Sequence, residues 1–386
     1  MRAARAPLAL PDFPWDALEP FGERARRHPA GMVDLSVGSP VDPAPQLVRD
    51  ALAAATDAHS YPATAGSPPL REAIADWYAR RHGVTLGVAN VLPTIGSKEL
   101  VAGMPWMLGL RPGDVVVHPS VAYPTYAIGA AIVGATALAS DDPAEWPAET
   151  RLIWLNSPGN PDGHVDSIER LAAAVARARE LGAVIVNDEC YAELNWTGDE
   201  PTPTILDRRV IGDSRRLVLS VYSLSKQSNL AGYRAAFVAG CSELIAELLE
   251  VRKHAGLIPP APVQNAMIAA LGDDGHVAAQ RERYRARRGT LLAALESAGF
   301  RIDGSGAGLY LWATRGEDAW ATVAALAELG ILVAPGSFYG EAGARHVRFA
   351  LTASDERIAA AAERLALLSA SGAEPLADAA TAPRTE

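Results

Sequence analysis

From Gln46 onward the apolar positions of the chain switch between two periods. QLVRDALAAATDA and PPLREAIADWYARRHG carry apolar side chains at helical spacing. Short, almost continuous apolar runs follow: VLPTIG, DVVVHPS, RLIWLNSP, AVIVNDECY and RLVLSVYSLS, each with polar residues at its exit. TYAIGAAIVGA predicts a helix after the second run, and SIERLAAAVARARELG one between the third and fourth, stopped by Gly182. Apolar strands alternating with amphipathic helices predict an α/β fold, a mainly parallel sheet covered on both faces. Ligands of such sheets collect at the carboxyl ends of the strands, so the polar exits are where chemistry is sought.

The pattern changes on either side of this region. Residues 1–44 are rich in Pro, Gly and Arg with one short helical stretch, WDALEPFGERARR, and read as an N-terminal arm that must pack on another part of the fold. Residues 45–255 form the large domain. Residues 256–370 begin with the long helical AQRERYRARRGTLLAALESAG and continue with GLYLWAT, GILVAPGSFYG and HVRFALT, predicting a smaller α+β domain. The tail 371–386 has little to bury and is expected to be disordered.

Composition narrows the function classes. The 386 residues are 49% hydrophobic and 21% charged, with a formal net charge of −10. That balance argues against a nucleic-acid-binding surface. Cys190 and Cys241 form neither a redox motif nor a zinc-ligand set, so no metal is expected and a reducing, cytoplasmic setting is the simplest expectation. Val115 to Ser140 lacks Asp, Glu, Lys and Arg but contains Pro119 and Pro124, which argues against a membrane span. No GxGxxG opens the fold, against a nicotinamide enzyme, and no helix-turn-helix precedes it, against a transcription regulator.

The strongest chemical signal is SLSKQSNLAGYR. Lys226 follows an apolar run, with Ser223 and Ser225 just upstream and Arg234 downstream, residue types that cradle a phosphate dianion. A lysine beside an anchored phosphate suggests a Schiff base to pyridoxal phosphate. That cofactor needs a buried carboxylate at its pyridine nitrogen, and VIVNDECY ends in Asp188, with Tyr191 nearby. Its phenolic oxygen needs donors, for which Asn160 in NSPGNPDG and Tyr191 are of the right type. TIGSKEL puts Gly96, Ser97 and Lys98 at a helix start, a natural phosphate site. Tyr123 in YPTY offers a ring to stack on a flat cofactor.

The ordered set YPATAGSPPLREAI, TIGSKE, YPTY, NSPGNPDG, NDECY, SLSKQSNLAGYR and HVRFALT resembles the class I and II aminotransferases of fold type I, over residues 30 to 368. The resemblance implies catalytic roles for Lys226, Asp188 and Tyr191. It implies that Lys226 binds the cofactor and shuttles a proton, that Asp188 pairs with the pyridine nitrogen, and that Asn160 and Tyr191 bind the phenolic oxygen. Tyr123 would stack on the ring, while Gly96, Ser97, Lys98 through its backbone, Ser223 and Arg234 would hold the phosphate. Tyr61 would reach the phosphate of a neighbouring subunit, implying a homodimer with shared sites. Arg348, with Gly38 and Asn160, would hold the substrate carboxylate. Asp162 and GYRAAF depart from the family's usual Thr and GYRxG at positions that could affect local packing.

SVGSPVDPAP and PSVAYPTY are most similar to the bacterial succinyldiaminopimelate transaminases, implying N-succinyl-LL-2,6-diaminopimelate as donor and 2-oxoglutarate as acceptor. The open alternatives are transamination of aspartate, alanine or an aromatic amino acid, or a C–S β-lyase reaction. Arg26, Arg27, Arg252 and Lys253 are the candidates for the distal carboxylates.

Overall fold

The structure is a computed structural model that describes residues 10–11 and 14–370. The expected disorder of the tail from 371 therefore lies outside the described residues. Strands run in chain order as β1 (Val33–Asp34), β2 (Val91–Ile95), β3 (Val115–His118), β4 (Thr136–Ala139), β5 (Thr150–Leu155), β6 (Val184–Asp188), β7 (Val218–Ser223) and β8 (Ala235–Gly240). They continue as β9 (Arg301–Asp303), β10 (Tyr310–Thr314), β11 (Ile331–Leu332), β12 (Ala334–Pro335) and β13 (Val347–Ala350).

β2 to β8 form one seven-stranded sheet in the order β2-β8-β7-β6-β5-β3-β4. β3 to β7 are parallel to their neighbours within that block, and β8 runs antiparallel to both β7 and β2. β6, β7 and β8 are buried at every position, as expected of strands covered on both faces. One core packs helices Pro68–His82, Ile168–Leu181 and Ala261–Leu271 on one face, around Trp77, Tyr78, Leu171 and Met267. A second packs helices Ser97–Met107, Thr125–Val133 and Ser242–Ala255 on the other, around Met104, Tyr126 and Leu248. The helices stop where the sequence provides Gly: Gly83 (φ 65°), Gly134 (φ 72°) and Gly182 (φ 67°) take the left-handed conformation that ends a helix without a Cβ penalty.

The smaller sheet, β12-β13-β10-β9, is antiparallel and backed by Gly275–Ser297, Ala319–Glu328 and Asp355–Ala370. β1 of the arm pairs in parallel with β11, so the arm is tied to the region that carries the smaller sheet. The arm then continues into Ser36 and Gly38, which lie between the two sheets. β4 and the antiparallel β8 are absent from the runs expected above. β4 is mostly exposed and only four residues long, and the Ala-rich β8 has little apolar contrast.

Candidate active site

The parallel strands β5, β6 and β7 end side by side, and their exits supply most of the site. β6 delivers Asp188, a buried carboxylate. Its Oδ2 accepts from the Tyr126 hydroxyl at 3.0 Å and its Oδ1 from the Cys190 backbone N–H at 3.2 Å. Burial raises its pKa, opposed by the Cys190 and Tyr126 hydrogen bonds and the charge of Lys226. Among the described residues it forms no ion pair, so a buried acid is held ready for a cation that no side chain provides. A protonated pyridine nitrogen meets that need.

β7 ends in Ser223, which caps the short helix Leu224–Gln227 by accepting from the Ser225 backbone N–H. Lys226 thus leaves the first turn after the strand, and its Nζ donates to the Gly38 carbonyl at 2.5 Å. The Ser223 and Ser225 hydroxyls lie 2.9 Å apart. Arg234, at the entry to β8, takes a left-handed φ of 54° and packs its guanidinium against Gly96. Gly96 takes a left-handed φ of 75°, which favours glycine, and a Cβ there would stand 2.2 Å from Arg234 Nη2 and displace the guanidinium. Gly96 also opens the helix Ser97–Met107. Helix N–H groups, two serine hydroxyls and an exposed guanidinium therefore converge beside Lys226, a donor set suited to a phosphate dianion.

β5 exits through Asn156, whose side chain donates to the Asp188 carbonyl at 2.9 Å and accepts from the Asn160 N–H at 2.8 Å. This fixes the buried Asn160, whose Oδ1 accepts from Arg348 Nη1 at 2.9 Å. Arg348 comes from β13 of the small sheet and also donates to the Ser36 carbonyl at 2.6 Å. Its Cζ stands 3.9 Å from the Tyr310 ring centroid and 4.9 Å from that of Tyr339. Arg348 Nε and the Tyr339 hydroxyl are buried without a protein partner, consistent with a pocket meant for an anionic ligand. Tyr191 is buried, and its hydroxyl lies 3.2 Å from that of Tyr310.

Tyr123 is half-buried, with the exposed Lys98 ammonium 5.9 Å from its ring centroid. The fold thus brings Lys226, Asp188, Asn160, Tyr191, Arg348 and Gly38 into one connected cluster, with Gly96, Ser97, Ser223 and Arg234 beside it. Tyr61 is fully exposed and is not part of this chain's own cluster. Arg252, one of the candidates for distal carboxylates, is buried and held by Glu99 at 2.8 Å and by the Leu257 carbonyl. It is a structural ion pair and is withdrawn from that list.

Three tyrosines escaped the sequence reading: Tyr126, Tyr310 and Tyr339. Tyr126, the second tyrosine of YPTY, lies one helical turn beyond Tyr123 and holds Asp188; the i, i+3 spacing was the available signal. Tyr310 had no local signal, since its neighbours come from residues 38, 191 and 348. The departure at Asp162 also has a local explanation. Its carboxylate takes His164 Nδ1 at 2.8 Å, and its carbonyl accepts from Ser305 N–H at 2.5 Å, tying the Asn160 loop to the small domain. Among the described residues no His, Cys, Asp and Glu cluster could hold a metal, and no helix is long and apolar enough to cross a membrane.

Comparison with known proteins agrees with this geometry. The family model described as aminotransferase class I and II matches residues 30–365. The chain is 56% identical to the 4-dedimethylamino-4-oxo-anhydrotetracycline transaminase of Streptomyces rimosus over 357 residues, 92% of this chain and 99% of that protein. It is 54% identical to a probable aminotransferase of Mycobacterium tuberculosis, covering 92% of this chain and 85% of that one. The solved N-succinyldiaminopimelate aminotransferase of Mycobacterium tuberculosis superposes with a TM-score of 0.82 at 28% identity, over 92% and 96% of the two chains. The chain belongs to the class I and II aminotransferases, pyridoxal-phosphate-dependent enzymes of fold type I.

Proposed function

We propose that the enzyme transfers the amino group of N-succinyl-LL-2,6-diaminopimelate to 2-oxoglutarate, giving N-succinyl-2-amino-6-oxopimelate and glutamate. Support for an α-amino acid as donor comes from one observation above all: Arg348, buried, sits between Asn160 and Ser36 on the side of the cluster where Lys226 meets Gly38. A guanidinium there selects a carboxylate attached to the reacting carbon. The resemblance to succinyldiaminopimelate enzymes in SVGSPVDPAP and PSVAYPTY, and the solved relative of that name, favour this donor.

When bound, pyridoxal phosphate supplies an electron sink for the pair left as the α-proton departs. Lys226 would hold it and would take the proton leaving the substrate's α-carbon. Asp188 keeps the pyridine nitrogen protonated, Asn160 and Tyr191 hold the phenolic oxygen, and Tyr123 covers the ring. Gly96, Ser97, the Lys98 backbone, Ser223 and Arg234 hold the phosphate. Arg348 and Gly38 orient the substrate carboxylate. Tyr61, fully exposed, would serve the partner's phosphate in a homodimer.

A second reading has its own support. Trp15, Phe338 and Trp312 pack around Tyr339, whose ring centroid lies 4.9 Å from Arg348 Cζ, and the 56% identical relative is named for an oxo-anhydrotetracycline. A flat ketone against such rings is therefore the competing substrate class. A panel of kcat/KM values separates the readings: N-succinyl-LL-diaminopimelate, LL-diaminopimelate, aspartate, alanine, phenylalanine and cystathionine as donors, and an anhydrotetracycline ketone as acceptor. The proposal expects the succinylated donor to lead by at least about tenfold, which is about 1.4 kcal/mol of transition-state binding. A lead for the ketone or for another donor would discard it.

A further inference from the structure

Tyr310 is buried at the start of β10, and three site residues meet it from three separate parts of the chain. Its ring covers the Arg348 guanidinium at 3.9 Å. Its hydroxyl lies 3.2 Å from the Tyr191 hydroxyl. The same hydroxyl abuts Gly38 so closely that a Cβ there would stand 2.0 Å from it. Gly38 in turn accepts from Lys226. Resting on the roles assigned above to Arg348 and Tyr191, we propose that Tyr310 is a positioning residue with two separable parts. Its ring orients Arg348 for the substrate carboxylate, and its hydroxyl sets the strength of the Tyr191 hydrogen bond to the cofactor's phenolic oxygen.

The ring argument is one of fixed geometry. Arg348 is buried and keeps Nη1 on Asn160 and Nη2 on Ser36, so a flat surface against its face holds the remaining Nε direction open. A desolvated cation against an aromatic face favours that one orientation. The hydroxyl argument concerns which phenol donates to the other. Burial opposes ionisation of both, but Arg348, Lys226 and the Tyr191 hydrogen bond hold Tyr310 below the ordinary tyrosine range. Burial and its Tyr310 neighbour push Tyr191 up. With the Tyr191 proton given to the cofactor's phenolic oxygen, the contact of the two hydroxyls at 3.2 Å is closed by the Tyr310 proton. A donor behind Tyr191 makes Tyr191 itself a stronger donor.

Tyr310→Phe and Tyr310→Leu separate the two parts. Glutarate, an inert dicarboxylate, is titrated calorimetrically into the apoprotein, and the loaded protein's absorbance is followed against pH. Tyr310→Phe should bind glutarate within about twofold of the parent, yet raise the pH midpoint of the cofactor's absorbance change by about half a unit or more, the equivalent of one net hydrogen bond. Tyr310→Leu should also weaken glutarate by about tenfold or more, through loss of the cation–π contact. An unmoved midpoint in Tyr310→Phe overturns the hydroxyl role. Undiminished glutarate binding in Tyr310→Leu, or in Tyr310→Met should the leucine variant not fold, overturns the ring role. Arg348→Leu is the control: if it binds glutarate as the parent does, the failure lies with Arg348 as carboxylate clamp, not with Tyr310.

Discussion

The floor and the roof of the active site are built differently. The floor comes from the exits of β5, β6 and β7, adjacent parallel strands of one sheet, and each exit is a compact motif: NSPGNPDG, NDECY and SLSK. The roof comes from Ser36 and Gly38 of the arm, Tyr310 on β10, Tyr339 at the end of the turn Gly336–Tyr339, and Arg348 on β13, joined only by contacts across long stretches of chain. In the proposed roles the floor carries the cofactor chemistry, and short turns fix its side chains to a rigid sheet. In the proposed roles the roof holds the substrate carboxylate, and each of its residues is placed by packing between two sheets and an arm.

The largest effect expected from breaking the floor is at Lys226. Lys226→Ala should remove the lysine-bound cofactor absorbance and turnover together; residual turnover near the parent rate would show that another group anchors and moves the proton. Asp188→Asn should still bind cofactor, but lose about 3–5 kcal/mol of transition-state stabilisation, a fall of roughly two to four orders of magnitude in kcat. Arg348→Leu tests the roof instead. It should lower kcat/KM for amino acids by about a hundredfold or more, since a charge pair in a buried site is lost, while the lysine-bound cofactor band stays intact. Loss of that band in Arg348→Leu would show that floor and roof are not separable.

An effect on stability, not on turnover, is expected beneath the floor, at Glu189. It is fully buried, bonded by Ile205 N–H, Thr204 and Asn187, and burial pushes its pKa to about 7. The folded state therefore binds a proton that the unfolded chain releases near 4.5, so this group lowers stability progressively as pH rises from about 4.5 to 7. Glu189→Gln should flatten that stretch of the stability–pH curve, by up to about 3 kcal/mol at its upper end, in denaturant titrations at several pH values. A curve parallel to the parent's would mean that Glu189 stays ionised in the fold.

The same division decides what could be read from the sequence. Lys226, Asp188, Asn160 and Tyr191 stand in short motifs after apolar runs, so strand-end logic points to them as candidates from the sequence alone. The parallel sheet was equally readable from uninterrupted apolar strands such as VIVN and VLSV. Tyr310 was not, because GLYLWAT reads as an ordinary buried strand and its significance depends on Gly38 and Arg348, far away in sequence. Arg348 was found through the family resemblance; by itself it reads as a strand residue. Arg252 misled because charge on a helix suggests solvent, while Glu99 of another helix neutralises it inside the core.

The most direct test of the account is an absorption spectrum of the purified protein loaded with pyridoxal phosphate, before and after N-succinyl-LL-diaminopimelate, with glutamate and alanine as comparison donors. The account predicts a lysine-bound cofactor band, absent from Lys226→Ala, that the succinylated donor discharges at lower concentration than alanine does. A protein that forms no such band with excess cofactor, or a Lys226→Ala variant that retains it, would contradict the assignment of the site at its centre.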